Sequence, residues 1–271
     1  MLPQLVNAPG PVNVRVQTHH LEGEMMESWF YNLTNMILRL LVNVLTQWEV
    51  SGAENVPLEG PLIVVANHIS FLDGVYLAMA IPRHLHFFMK VKGGLDLPVI
   101  GGFIGLWGAF PVRRGVVDRK ALGRSLDLLK QDEVLGIFPE GTRGRGADTH
   151  KLKRAKAGVT VIAIRSGAPI LPVGITGTEH PLSRRSGWFG LRRPKVRINI
   201  GEPFTLPDYE GQFNRQTLFT ATSDVMYRIA DLLPPEYRGY YADKDRPMPE
   251  DVQRGRGRIR HLIRNTSTMT A

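Results

Sequence analysis

Residues 61–73, PLIVVANHISFLD, end an unbroken apolar run with a histidine and an aspartate five residues apart. A short apolar run of this kind is typical of a strand that is buried on both faces, as strands are in a parallel sheet. Ligands of parallel α/β sheets bind outside the carboxyl ends of the strands. His68 and Asp73 are therefore the first candidate site residues.

Short apolar runs alternate with helical patterns along most of the chain. Strands separated by helices predict βαβ units, so we expect an α/β fold with a mostly parallel sheet flanked by helices. The predicted strands are PLIVVAN, LHFFMK, GAFPV before Arg113, VLGIFP, PILPVGI and KVRINIG. The predicted helices cover residues 71–81, 118–131, 157–167 and about 216–233.

The chain divides into four predicted segments. Residues 1–22 are expected to be a flexible arm, and residues 51–235 the α/β domain. In residues 23–50, apolar side chains recur at steps of three and four from Met25 to Trp48, which predicts an amphipathic helix. We interpret it as a membrane-association segment; the alternative is a helix docked on its own core. Residues 236–271 are expected to be a basic, Pro- and Gly-rich, poorly ordered tail.

Composition narrows the classes of function. The 271 residues carry 34 Lys and Arg against 25 Asp and Glu, a net charge of 34 − 25 = +9, which suits an anionic partner such as a phosphorylated substrate or an acidic membrane. The absence of cysteine excludes disulfides and thiolate catalysis. The N-terminal residues lack the pattern of a signal peptide, and no apolar run is long enough to predict a transmembrane helix.

The spacing of His68 and Asp73 requires a chain reversal between them. On one continuous helix, residues five apart point in directions about 140° from each other. The letters SFLD fit a capping box, so we predict that Ser70 is the N-cap and that Asp73, in the first turn, faces back toward His68. An ionised carboxylate in that place would orient the imidazole of a general base. The alternative is an ordinary strand-end histidine beside a simple helix cap.

Two further stretches place polar residues after predicted strands. GIFPEGTRGRG puts Glu140, Gly141, Thr142 and Arg143 at a strand's carboxyl end, and GAFPVRRG runs a strand into Arg113 and Arg114. Glycine lets backbone approach a ligand closely, and arginine offers a forked donor for phosphate. His84 and His86 alternate on one face of a predicted strand, but two ligands with no acidic residue nearby make a weak metal site, and we predict no metal.

NHISFLD, GAFPVRR, FPEGTR and ILPV occur in the order of the four sequence blocks of the glycerolipid acyltransferases. The chain resembles the bacterial 1-acyl-glycerol-3-phosphate acyltransferase (PlsC-like) type of that family, from about Val50 to Pro203. The resemblance implies transfer of a fatty acyl group from acyl-CoA or acyl-carrier protein to the hydroxyl of 1-acyl-glycerol 3-phosphate, giving phosphatidic acid. It implies no cofactor beyond that co-substrate.

The resemblance also implies roles for particular residues. His68 and Asp73 fall on the catalytic histidine and aspartate. The expected substrate-binding residues fall on the second and third blocks, on the Lys-x-Gly that follows the third block, and on a lysine that in the family often precedes an L…P…G segment. They are Arg114, Glu140, Gly141, Thr142, Arg143, Lys156 and Lys92. The chain departs from the family pattern at Arg113, Gly144 and Ala155. These departures lie near the acceptor positions, so they bear on the choice of acceptor more than on the reaction.

Three other functions stay open at this stage. An acyltransferase of the same class could use glycerol 3-phosphate or a glycolipid as acceptor. A basic protein could bind nucleic acid through the Arg-rich tail, although no recognition motif is present and we expect no nucleic-acid partner. A catalytically silent lipid-binding relative would be expected to lack His68 or Asp73. For the favoured function, we expect peripheral attachment at the cytoplasmic side of the cell membrane.

Overall fold

The computed structural model describes residues 46–90, 109–112, 119–144, 146–179, 193–207 and 214–253, together with the helical positions 33, 36, 40, 43 and 44. Seven strands form one sheet in the order β1-β7-β6-β2-β5-β3-β4. They are β1 (Gln47–Ser51), β2 (Leu62–Ala66), β3 (Leu85–Lys90), β4 (Ala109–Val112), β5 (Val134–Ile137), β6 (Ile170–Thr176) and β7 (Lys195–Ile200).

In addition to the helical positions before β1, five α-helices of the described residues lie between and after the strands. They are α1 (Asp73–Ala80), α2 (Arg119–Lys130), α3 (Gly158–Ser166), α4 (Arg215–Asp231) and α5 (Glu250–Gln253). Every adjacent pair of strands is parallel except β6 and β7, so β1 and β7 run opposite to the other five. The prediction of an α/β fold with a mostly parallel sheet flanked by helices is confirmed.

The strand that leads to His68, β2, lies at the centre of the sheet and is buried on both faces. Ile63 and Val65 point into a cluster with apolar residues of α2, α3 and α4. Leu62, Val64 and Ala66 point into a second cluster with α1 and with β1 and β7. Burial on both faces explains why β2 has no polar position. It also fixes the edge at which the chain leaves the core.

The N-terminal boundary of the domain differs from the prediction. The helix predicted to reach Trp48 has ended by Gln47, because residues 47–51 form β1 at the edge of the sheet. Exposure alternates along these five residues, which is the period of a strand with one covered face. Five residues are too few for that period to stand out against the helical pattern before them. In the part of the chain that the structure describes, no helix is long and apolar enough to cross a membrane.

The C-terminal boundary differs too. The chain beyond residue 235, predicted to be poorly ordered, is folded as far as residue 253. It forms short 3₁₀ turns at Pro235–Tyr237 and Gly239–Tyr241, and then α5. Tyr241 and Val252 are buried, so this part packs on the domain despite its Pro- and Arg-rich composition. Residues 254–271, with the Arg-Gly repeats, lie outside the described residues, as do residues 1–32.

The packing of Phe87 on Gly136 in β5 yields a test of the fold. Gly136→Ala should lower the free energy of unfolding by about 1–3 kcal/mol, because the added methyl group would lie 2.5 Å from Cε1 of Phe87. Gly123→Ala is the matched control. Nothing lies within 4 Å of that position in α2, so the change should raise stability by about 0.5–1 kcal/mol. Urea denaturation measures both, and equal effects would contradict the packing.

Candidate active site

Three adjacent parallel strands, β6, β2 and β5, end at the same edge of the sheet. The first residue after β2, Asn67, uses its side chain to continue the pairing with β6. Its Nδ2 donates to the Ile175 carbonyl at 2.8 Å, and its Oδ1 accepts from the Ile175 N–H at 2.7 Å. The buried Asn67 amide thus replaces a pair of ladder bonds, and the next residue is placed at the rim of the sheet.

That next residue, His68, faces Asp73, as the sequence predicts. His68 Nδ1 lies 2.9 Å from Oδ2 of Asp73. The Asp73 side chain is completely buried, whereas that of His68 is 16 % exposed. Because Nδ1 is engaged by the carboxylate, Nε2 is the ring nitrogen left to exchange a proton with a ligand.

The Asp73 carboxylate is held from four sides. Its Oδ2 also accepts from the N–H groups of Ile69 at 2.7 Å and Ser70 at 2.8 Å. Its Oδ1 accepts from the Thr178 hydroxyl at 2.5 Å. With three donors of fixed direction and Nδ1 of His68 as the fourth partner, the carboxylate has the surroundings of a hydrogen-bond acceptor. Asp73 is also the first residue of α1, where the helix dipole favours negative charge.

The capping-box prediction is half right. Asp73 does reach back to the Ser70 N–H, which is one half of a capping box. However, α1 begins at Asp73 with Leu72 as its N-cap, and the Ser70 hydroxyl accepts from the Leu72 N–H at 3.3 Å. The loop is therefore organised around the aspartate rather than around the serine.

An aromatic ring fixes the other face of the histidine. The imidazole of His68 stacks on Phe138, which follows β5, with centroids 4.1 Å apart and planes at 17°. Phe87 of β3 lies parallel to Phe138 at 6.1 Å. Together with the bond to Asp73, this stack defines the orientation of the imidazole, so that Nε2 keeps one direction.

Glu140, which the sequence predicts to bind substrate, accepts backbone hydrogen bonds with both of its carboxylate oxygens. Oε1 accepts from the His68 N–H and Oε2 from the Lys153 N–H, each at 3.0 Å. The side chain is 5 % exposed. Burial raises the pKa of Glu140 to about 7, although the two N–H donors and the Lys153 charge act against the rise. Glu140 thus ties the histidine loop to the loop after β5.

The residues after Glu140 bring two lysines to the site. Gly141 has φ of 68°, and a methyl group there would lie 3.3 Å from Nζ of Lys156, so the exposed Lys156 lies across its backbone. The half-buried Lys153 donates from Nζ to the Thr142 carbonyl and, at 3.1 Å, to the Thr142 hydroxyl. The N–H of Gly141 donates to the Phe138 carbonyl at 2.9 Å.

Of the remaining predicted site residues, only Arg143 lies among the described residues. Arg143 is exposed on the loop after β5. Lys92 and Arg114 lie outside the described residues, as does Arg113. Gly144 passes so close to Thr149 that a methyl group would lie 2.3 Å from the Thr149 carbonyl oxygen, which gives this departure from the family pattern a steric reason.

His86 of the suggested metal pair lies 3.3 Å from a carboxylate oxygen of Glu133, a contact that the sequence did not predict. In the ranges that the structure describes, no three His, Asp or Glu residues are grouped to hold a metal ion.

Sequence reasoning missed four residues of this site: Asn67, Phe138, Lys153 and Thr178. The rule that selected His68 and Glu140, namely a polar residue just after a parallel strand, applies equally to Asn67 and Thr178. Nothing in the sequence pattern distinguishes Lys153 from its basic neighbours, because its role depends on Glu140 and Thr142 in space.

A family model described as Acyltransferase matches residues 47–176, which include β1 to β6 and the His68–Asp73 pair. The chain belongs to the acyltransferase family.

Two relatives of this acyltransferase share one name. It is 27 % identical over 203 residues to the 1-acyl-sn-glycerol-3-phosphate acyltransferase of Bacillus subtilis, covering 74 % of this chain and 96 % of the relative. It is 33 % identical over 160 residues to a chloroplast 1-acyl-sn-glycerol-3-phosphate acyltransferase of Brassica napus, covering 57 % of this chain and 44 % of that protein. The acyltransferase thus spans less than half of the plant relative.

A solved structure is similar to this acyltransferase as well. The crystal structure of the 1-acyl-sn-glycerophosphate (LPA) acyltransferase PlsC from Thermotoga maritima matches with a TM-score of 0.57 at 26 % sequence identity. The match covers 74 % of this chain and 78 % of the Thermotoga chain. The similarity therefore extends over most of the described fold.

The Thr178 contact gives a prediction for this acyltransferase. Thr178→Val should lower kcat by about tenfold or more and reduce stability by about 1.5–3 kcal/mol, because a buried carboxylate loses a donor. Thr178→Ser keeps the hydroxyl and is the control, with kcat within about twofold of wild type. Steady-state kinetics and thermal unfolding measure the pair. Equal kcat values for the two variants would show that the hydroxyl does not support Asp73.

Proposed function

We propose that this acyltransferase moves a fatty acyl group from an acyl thioester to the free hydroxyl of 1-acyl-glycerol 3-phosphate and so forms phosphatidic acid. The single observation that carries the proposal is the His68–Asp73 contact of 2.9 Å at the carboxyl edge of the sheet. The names of the Bacillus and Thermotoga relatives support the same reaction. Acyl-CoA and acyl-carrier protein are the two donors that the proposal admits.

His68 acts as general base. Nε2 takes the proton of the acceptor hydroxyl as its oxygen attacks the thioester carbonyl carbon. Asp73 stabilises the imidazolium through Nδ1. The tetrahedral intermediate then collapses, the C–S bond breaks, and the thiolate leaves with the proton returned by the imidazolium. One ester forms and one thioester is cleaved, so no covalent acyl-enzyme is required. General-base catalysis of this kind contributes about 10²–10⁴ in rate.

The acceptor phosphate binds at the loop after β5. Lys156 is exposed, and its Nζ lies against Gly141. Gly141 follows Glu140, whose carboxylate accepts a hydrogen bond from the His68 N–H. Arg143 is exposed on the same loop. A phosphomonoester carries between one and two negative charges near neutral pH, so two or three cations are a suitable complement. Lys92 and Arg114 complete the proposed set on the strength of the sequence resemblance.

A lipid acceptor requires the site to face a bilayer. Three described helical positions before the domain, Met36, Leu40 and Val44, follow one another at steps of four and are 61 %, 66 % and 60 % exposed. This apolar stripe, together with the net charge of +9, favours attachment to an anionic membrane surface. Phe71, which lies between His68 and Asp73 in the chain, is 64 % exposed and is suited to contact the membrane surface as well. Peripheral attachment at the cytoplasmic side, as the sequence predicts, is part of the proposal.

A competition among acceptors tests the function. With one acyl thioester, 1-acyl-glycerol 3-phosphate should give the highest kcat/KM. Glycerol 3-phosphate tests the need for the first acyl chain, and 1-acyl-glycerol tests the need for the phosphate. His68→Ala is the control for enzyme-dependent transfer and should lose activity about 10²-fold or more while keeping its fold. A preference for glycerol 3-phosphate or for the unphosphorylated acceptor would contradict the proposed acceptor, and activity retained in His68→Ala would contradict the mechanism.

A further inference from the structure

Residues 235–253, here named the C-terminal segment, pack against residues 152–156, the loop that ends in Lys156. The N–H of Leu152 donates to the Tyr237 carbonyl, and the N–H of Tyr240 donates to the Leu152 carbonyl, both at 2.8 Å. Gly239 fits so closely that a methyl group there would lie 2.5 Å from the Leu152 carbonyl oxygen. The contact is therefore a backbone-to-backbone interface and not a loose apposition.

Two further contacts fix the middle of the loop. The N–H of Ala155 donates to the Tyr241 hydroxyl at 3.0 Å. Arg154 makes a two-pronged contact with Asp251 of α5, at 3.1 and 3.0 Å. Because Tyr241 is buried while Arg154 and Asp251 are half-exposed, the hydroxyl contact is the better shielded from water.

The same loop contacts the active site from its other side. The N–H of Lys153 donates to Glu140, and the N–H of Lys156 donates to the Pro139 carbonyl at 2.9 Å. Leu152, Arg154 and Ala155 thus bind the C-terminal segment. Lys153 and Lys156 bind Glu140 and Pro139, on the loop that contacts His68. The loop contacts both parts, so the C-terminal segment and the backbone of Lys153 and Lys156 are linked through it.

We propose that Tyr241 is a positioning residue for acceptor recognition, which holds Lys156 at the phosphate site by fixing the backbone of Ala155. This inference rests on the proposed function, because it takes Lys156 to contact the acceptor phosphate. The chemistry recognised is a phosphomonoester on a lipid. Tyr241 touches no substrate and acts only through the loop.

The chain contains a matched control at the adjacent position. The Tyr240 hydroxyl is also buried, but it has no hydrogen-bond partner among the described residues. The rings of Tyr240 and Tyr241 pack edge to face with centroids 5.0 Å apart. Replacing either tyrosine by phenylalanine removes one oxygen from the same aromatic cluster, but only Tyr241→Phe leaves the Ala155 N–H without its acceptor.

The experiment measures kcat and KM of both variants with 1-acyl-glycerol 3-phosphate and with 1-acyl-glycerol. Tyr241→Phe should raise the KM for the phosphorylated acceptor about three- to tenfold, with kcat within about twofold of wild type. The kcat/KM for 1-acyl-glycerol should stay unchanged, because that acceptor has no phosphate for Lys156 to contact. Tyr240→Phe should match wild type with both acceptors.

Lys156→Met separates failure of this inference from failure of the proposed function. It should raise the same KM, and adding Tyr241→Phe to it should have no further effect, because the two changes act through one group. If Lys156→Met leaves the KM unchanged, the proposed phosphate site is wrong. If Lys156→Met raises the KM but Tyr241→Phe does not, or if Tyr241→Phe lowers only kcat, the positioning role is wrong.

A second variant covers the case in which Tyr241→Phe reduces folding. Asp251→Asn loosens the same segment at its half-exposed end and should raise the KM for the phosphorylated acceptor about twofold, with no change for 1-acyl-glycerol. Thermal unfolding of every variant accompanies the kinetics. Equal losses with both acceptors would show a general loss of active enzyme and would overturn the proposal.

Discussion

The burial of one carboxylate, that of Asp73, is the constraint on which the site depends. An ionised group removed from water is costly unless hydrogen-bond donors replace its solvent. Its donors come from three places: the loop after β2, the imidazole of His68 and the hydroxyl of Thr178 after β6. They converge only if β2 and β6 are neighbours and α1 begins at the sheet edge. The same arrangement that makes the buried charge tolerable also orients the imidazole.

A second buried carboxylate, that of Glu140, extends the constraint to the proposed phosphate site. Glu140 joins the backbone of His68 to that of Lys153, so the proposed general base and the loop of residues 152–156 share one support. The Asn67 side chain makes the corresponding connection from β2 to β6. The proposed base and the proposed phosphate site thus lie on loops that follow adjacent strands, and the hydrogen bonds of Glu140 fix these loops relative to each other. Such fixed supports hold the precision that proton transfer needs.

Much of this could be predicted from the sequence, and the parts that could not have physical reasons. Apolar runs and helical periods located six of the seven strands, and the rule that ligands bind at strand ends selected His68 and Glu140. The edge strand β1 was not predicted, because five residues are too few for the alternation of a strand to be recognised. The folded part beyond residue 235 escaped because its composition is that of a tail, whereas its stability comes from backbone bonds to Leu152. Roles that depend on a partner in space, as for Lys153 and Thr178, leave no local pattern.

The central claim is that Asp73 holds His68 in the tautomer that carries its proton on Nδ1, leaving Nε2 as the base. Nitrogen-15 NMR of the histidine-labelled protein, with the His68 signals assigned by comparison with His68→Gln, measures the tautomer directly. In the neutral form of the ring, Nδ1 should carry the proton and Nε2 should carry none. A neutral ring protonated on Nε2, or an equal mixture of the two tautomers, would contradict the account.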